Sequence, residues 1–241
     1  MIAPVKHINP DNFETQYIRL RRWEKRIYAD GEVAQLPVVV PTHPYYKEWQ
    51  LRKESSKKLI DYLKRRSQPI NILEVGCGNG WLSAKLAGIN RSNVTSIDIN
   101  NEELEQAKRV FSHISNLQFY YRNINELENE MKFDVIVFAA AIQYFNSLKN
   151  IITNSLTHLS KEGEIHIIDS PFYALSHVAA AKERTHLYYQ SAGFPEMANS
   201  YFHHSFDDLE NYNCSIRYDP NSLFNKFLRT KNPFYWISIK S

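Results

Sequence analysis

The chain has 241 residues, enough for one substantial core and short for two full domains, and its 43% hydrophobic and 23% charged content is that of a globular protein. Its longest unbroken apolar run, residues 135–142, falls far short of the roughly 20 residues that cross a bilayer. A net charge of +3 with a pI near 8.7 is too mild to imply a nucleic-acid partner by itself.

The opening stretch MIAPVKHINPDNF lacks the apolar centre of a secretory signal, so a cytoplasmic protein without a membrane partner is expected. Two cysteines, Cys77 and Cys214, make neither a disulfide framework nor a four-ligand zinc site, and the nine histidines show no metal-binding spacing. No metal is expected.

Residues 11–30 read as an amphipathic helix, with Phe13, Tyr17, Leu20, Trp23 and Ile27 near a 3.6-residue period, Asp11 as its cap and Gly31 as its stop. Pro37, Pro41 and Pro44 then exclude helix, and a second helix is predicted over residues 45–66, stopped before Pro69. From there strands and helices alternate. Strands are predicted at 70–75, 94–98, 117–121, 133–138 and 164–168, and helices at 81–86, 102–111 and 148–159. Asn100 followed by Glu103 forms a capping-box-like start. Residues 171–213 are dense in Tyr, Phe and His, and two further strands are predicted at 215–218 and 234–239. This alternation predicts an α/β fold: a Rossmann-like, doubly wound, mostly parallel sheet of about seven strands, with helices on both faces. We read one domain, with a helical extension (1–68), a ligand-binding core (69–170), a lid-like insertion (171–213) and terminal strands (214–241). Ligands bind such sheets at the carboxyl ends of the strands.

The first strand ends in Leu73-Glu74-Val75-Gly76-Cys77-Gly78-Asn79-Gly80. Glycines here let a ligand approach the backbone closely and allow positive φ. A nicotinamide fingerprint needs a third glycine where Trp81 stands, which argues against a nicotinamide oxidoreductase. The next strand ends in an acid, in Ser96-Ile97-Asp98-Ile99-Asn100.

In these segments the chain resembles the class I S-adenosylmethionine-dependent methyltransferases, in their small-molecule, ubiquinone-biosynthesis-like branch, over about residues 71–169. The resemblance implies S-adenosylmethionine as cofactor and S-adenosylhomocysteine as product. Gly76, Cys77, Gly78 and Gly80 would line the methionine end, and Glu74 would organise its amino group. Asp98 would accept from both ribose hydroxyls, and Ile99 would cover an adenine face. After the third strand the family commonly has an acid for the adenine amino group; here Tyr121-Arg122-Asn123-Ile124 puts Asn123 there, with Ile124 beside it and Ala139 ending the fourth strand.

The family's (N/D)PP(Y/F) motif for amide and exocyclic nitrogens is absent after the fourth strand, where the sequence reads Ala139-Ala140-Ala141-Ile142-Gln143-Tyr144-Phe145. No cysteine is placed as in cytosine methylases. A small-molecule acceptor methylated at oxygen or nitrogen is therefore expected. Gln143 and Tyr144 are candidates for the acceptor site, or local packing at a helix start. Tyr173, Tyr201, His203 and His204 lie in the lid segment, the histidines as candidate bases or as surface groups of a small aromatic subdomain. Tyr46, Trp49 and Arg52 share a helix face and are candidate acceptor contacts, or an aromatic core stripe with a surface arginine. The alternative function is RNA methylation or nucleic-acid binding, through Arg19, Arg21, Arg22, Lys25 and Arg26 together with Lys57, Lys58, Lys64, Arg65 and Arg66.

Overall fold

The computed structural model describes residues 10–226 and 232–240. Three helices, α1 (Pro10–Trp23), α2 (Asp30–Gln35) and α3 (Tyr46–Leu63), precede β1 (Ile70–Val75). Then follow α4 (Trp81–Ala87), β2 (Ser92–Asp98), α5 (Asn101–Val110), β3 (Leu117–Tyr121), β4 (Phe133–Ala139), α6 (Leu148–Thr157) and β5 (Leu159–Ile168). A short ribbon of β6 (Phe172–Tyr173) and β7 (His204–Ser205) brackets α7 (Leu175–Ser191), and β8 (Cys214–Tyr218), α8 (Leu223–Lys226) and β9 (Trp236–Lys240) end the fold. The main sheet runs β3-β2-β1-β4-β5-β9-β8; its first five strands are parallel, and β9 joins β5 antiparallel. The expected seven-stranded, mostly parallel sheet is present.

Both faces of the central strands are buried, which is why they read as continuous apolar runs. Ile72, Val135 and Val137 pack with Leu59, Leu63, Leu82, Leu86 and Leu104 on one side. Leu73, Val75, Ile136 and Phe138 pack with Leu148, Ile151 and Ile152 on the other. The switch in strand order lies between β1 and β4, and it opens a crevice at their carboxyl ends.

The α1 expectation needs correction. The helix stops at Trp23, where Lys25 takes φ +56° and Arg26 N donates to Arg21 O at 2.8 Å. This is a left-handed C-terminal closure made without glycine, so no residue type announced it. Gly31 sits inside α2 rather than ending α1, and Asp11 lies within α1 rather than before it, its side chain falling outside the described residues. The α6 and β5 boundaries also move. His158 caps α6, Leu159 opens β5, and the pairing with β4 then jumps from Phe133–Leu159 to Val135–Glu164 across a bulge.

The segment after β5 forms α7 and a third small core. Leu20, Tyr189, Ala192 and Met197 are buried there, with Phe13, Tyr17 and Tyr201 packed against them. This core joins α1 to α7 across the mouth of the crevice. No helix among the described residues is long and apolar enough to cross a membrane.

Candidate active site

The glycine segment turns sharply out of β1. Gly76 N and Cys77 N both donate to Ile97 O, at 2.9 and 3.3 Å, so the turn lies against the end of β2. Gly76 has φ +75°, and a Cβ there would stand 2.6 Å from the Ala141 side chain, so glycine is required on both counts. Asp98 completes the loop: Oδ2 accepts from Gly78 N at 2.7 Å and Oδ1 from Asn100 N at 2.8 Å. Asn100 also caps α5, accepting from Glu103 N as its spacing predicted.

Two adjoining cavities meet over this loop. The smaller, about 430 Å³, is lined by Asp98, Ile99, Arg122, Asn123 and Ile124 among others. The larger, about 600 Å³, is lined by Glu74, Cys77, Ala139, Gln143 and Asp169, with α1, α3 and α7 forming its far walls. Tyr17, Gly76, Gly78, Glu103, Ala140 and Tyr144 border both. The donor set suits S-adenosylmethionine. Asp98 keeps lone pairs for vicinal hydroxyls, Glu74 and Glu103 offer anions for an ammonium, and the buried Arg21 Nε lacks any hydrogen-bond partner. Asn123 Oδ1 accepts from Asn125 N at 3.0 Å, which leaves one lone pair for a base amino group.

Burial pushes the Glu74 carboxyl up to about 8 and that of Glu103 up to about 7. It also pushes Asp98 up to about 6, against the pull of the Gly78 and Asn100 N–H groups. All three values exceed those of the unfolded chain, so folding takes up protons, and these groups cost stability as pH rises from about 4 to about 8. A bound ammonium favours the carboxylates and reverses that uptake. S-adenosylhomocysteine binding should therefore tighten between about pH 6 and pH 8 with net proton release. Calorimetry in buffers of differing ionisation enthalpy checks this; proton uptake, or no buffer dependence, would refute it.

Among the candidate cofactor residues, Gly80 lies outside both cavities. Its φ of +73° and a Cβ position 2.6 Å from the Phe119 ring and 2.9 Å from Ala107 explain the glycine by helix–sheet packing alone. Gly80→Ala should cost about 2 kcal/mol in denaturant unfolding, from left-handed strain plus overpacking. An unchanged midpoint would show that the contact relaxes freely.

Of the candidate acceptor residues, Trp49, Arg52, Gln143, Tyr144, Tyr173 and Tyr201 line the larger cavity and Tyr46 does not. A span of i to i+6 covers about a third of a helix circumference, and Tyr46 falls beyond the lining arc. Neither His203 nor His204 reaches a cavity wall. His203 is buried behind Tyr173 and Tyr201, at ring separations of 5.6 and 5.2 Å, with Nε2 2.8 Å from Thr185 Oγ1. Burial holds it down to about 4. His204 Nε2 is tied to Ile142 O at 3.0 Å. His203 thus braces α7, and His204 ties β7 to the segment after β4.

The basic stretch of α1 is turned largely inward. Arg21 and Arg26 line the larger cavity, and Arg22 forks onto Glu102 at 2.7 and 2.8 Å. Arg26 grips Glu48 with bonds of 2.6 and 2.8 Å, and Arg52 Nε reaches the same carboxylate at 3.1 Å. Burial alone would raise Glu48, but the two guanidiniums hold it down to about 2. The spacing of Phe13, Tyr17 and Arg21 at i, i+4 and i+8 already placed Arg21 on the buried face, a signal its charge masked. Glu103, read only as a cap partner, and Asp169, just past the end of β5, are further wall residues that sequence reasoning left out.

A family model described as "Methyltransferase domain" matches residues 67–230. The chain belongs to this family of S-adenosylmethionine-dependent, class I methyltransferases, whose fold it shares. It is 33% identical over 117 residues to the malonyl-[acyl-carrier protein] O-methyltransferase of Bacillus anthracis, covering 47% of this chain and 43% of that protein. Over 96 residues it is 32% identical to the ubiquinone biosynthesis O-methyltransferase of Rickettsia typhi, covering 39% and 38%. The matched stretch spans less than half the length of either relative. Among solved structures, the plantazolicin methyltransferase BpumL bound to S-adenosylhomocysteine superposes with a TM-score of 0.56 at 13% identity, over 96% of this chain and 97% of that one. The N-methyltransferase NodS from Bradyrhizobium japonicum superposes with a TM-score of 0.53 at 16% identity, over 80% and 97%. These structural likenesses carry the fold.

Proposed function

We propose that this protein transfers a methyl group from S-adenosylmethionine to an oxygen or nitrogen of a small-molecule acceptor. The observation that supports it most is the pair of cavities adjoining at Gly76 and Gly78, one bearing Asp98 and the other holding buried polar atoms of Arg21, Gln143 and Asp169 without hydrogen-bond partners. Bound S-adenosylmethionine supplies an electrophilic methyl on a sulfonium. In this reading Asp98 holds the ribose, Ile99, Asn123 and Ile124 frame the adenine, and Glu74 and Glu103 face the amino group. Arg21 takes the carboxylate. Gln143 and Tyr144, at the carboxyl end of β4, border the space where methyl and nucleophile meet, and the lid built by α1 and α7 excludes water.

The nucleic-acid reading has little support, because Arg21 and Arg26 point into the cavity and Arg22 and Arg66 are engaged by Glu102 and Glu164. We place the protein in the cytoplasm, a compartment that suits its unpaired Cys77 and Cys214. Calorimetric titration with S-adenosylhomocysteine tests the cofactor assignment, and transfer of labelled methyl from S-adenosylmethionine to a panel of small metabolites tests the reaction. Failure of the folded protein to bind S-adenosylhomocysteine overturns the reading.

A further inference from the structure

Asp169 is the residue of the larger cavity whose chemistry is least accounted for. It directly follows β5 with φ +54°, in the left-handed region that a non-glycine residue enters only where the surroundings hold it. It is 7% exposed, and Ser55 Oγ donates to Oδ2 at 2.8 Å. Oδ1 has no hydrogen-bond partner, although the residue lines the cavity wall. A buried carboxylate oxygen without a donor is costly, and in a cavity it is completed by a water or by a ligand that displaces the water. Burial raises this carboxyl above the ordinary range, while Arg52, Ser55 and the nearby Asn232 side chain pull it back. The same cavity is lined by flat side chains, Trp49, Tyr173, Tyr189, Tyr201 and Phe234.

Resting on the methyltransferase reading above, we propose that Asp169 Oδ1 receives the hydrogen of the acceptor's nucleophilic group, so that the acceptor presents an O–H or N–H from a flat apolar body. In the transfer step the nucleophile's lone pair forms the new bond to the methyl carbon. The methyl–sulfur bond breaks with its electron pair retained by sulfur, and the nucleophile's proton passes to Oδ1 and then to solvent. A carboxylate nucleophile has no hydrogen to give and meets a like charge at Asp169, while Arg26 and Arg52 are already engaged by Glu48. The site therefore selects hydroxyl or amine acceptors over carboxylates.

The test uses protein saturated with S-adenosylhomocysteine and three probes of one shape, phenol, anisole and benzoate, with affinities read by ligand-detected NMR. Phenol should bind roughly tenfold more tightly than anisole or benzoate, the scale of one hydrogen bond to a charged acceptor. Asp169→Asn should reduce that preference, and Asp169→Gly, which suits the positive φ, should abolish it without changing S-adenosylhomocysteine affinity. Ser55→Ala removes the tie to α3 but leaves Oδ1 in place, and it should keep the preference. Equal or absent binding of phenol and anisole, tighter binding of benzoate, or a preference that survives Asp169→Gly overturns the proposal. Loss of S-adenosylhomocysteine binding by the wild type is a separate result, which overturns the methyltransferase reading itself.

Discussion

Replacing Asp98 with alanine is expected to weaken S-adenosylhomocysteine binding by at least about a hundredfold while leaving the protein folded. Each bond from a hydroxyl to a carboxylate contributes about 1.5–3 kcal/mol, and the ribose offers two hydroxyls to this side chain. The same carboxylate accepts from Gly78 N and Asn100 N, so the variant also loosens the glycine loop on which the cofactor would lie. Folding suffers less. Burial has already raised Asp98 to about 6, so removing it relieves a desolvation cost that offsets part of the lost bonding. Asp98→Asn, which keeps one acceptor oxygen, should fall between wild type and alanine. Calorimetry beside far-ultraviolet circular dichroism separates the two effects. A loss of less than about fivefold in Asp98→Ala would disconnect this residue from the cofactor.

The second large effect is on stability and lies away from the cavities. Glu164 of β5 accepts from Tyr62 at 2.9 Å and Arg66 at 2.9 Å, with His166 Nε2 at 3.4 Å and Arg217 and Lys240 at 3.6 Å. It thereby staples α3, β8 and β9 to the centre of the sheet. His166, Tyr62 and Arg66 together hold its carboxyl well below the usual range, against the cost of burial. Glu164→Gln should cost about 3 kcal/mol, the lower end of what breaking a buried ion pair costs, because its cationic partners still reach water. For a chain of this size that lowers the melting temperature by roughly 10 °C. A depressed carboxyl stabilises the fold above the unfolded value near 4.5 and loses that contribution as pH falls below it. The gap between wild type and variant should therefore begin to narrow as pH falls below about 4 and shrink steadily with further acidification. A gap independent of pH would mean that the charge on Glu164 is not what matters.

The framework was written in hydrophobic periodicity and punctuation. β1 and β3 came out at the expected residues, and β2, β4 and α4 within two, because apolar runs closed by Gly76 or Asp98 leave the chain few alternatives. The loop proposed to hold the cofactor is built from residues adjacent in sequence at the strand ends, where positive φ calls for Gly76 and the Asp98 carboxylate ties Gly78 N and Asn100 N. Where the expectation failed, the deciding forces were not local. Nothing in Lys25 marks a left-handed stop, and Tyr46 differs from Trp49 only by its angle around α3. His203 and His204 face inward because Thr185 and Ile142 O hold them.

The larger cavity shows the division most clearly. Its wall joins α1, α3, the ends of β4 and β5, and α7, segments separated by more than a hundred residues. In the sequence Arg21 and Arg26 stood in the basic stretch offered for nucleic acid, and Asp169 was given no role. Pairing with Glu48 turns Arg26 inward, Arg21 lines the same cavity, and burial leaves Asp169 Oδ1 and Arg21 Nε without hydrogen-bond partners. Short-range sterics and the length and punctuation of apolar runs were enough for the sheet and the glycine loop, and the resemblance of those segments to the class I methyltransferases supplied the cofactor class. Only the tertiary structure decided which charged groups lost their water, since desolvation depends on neighbours that the chain brings together from a distance.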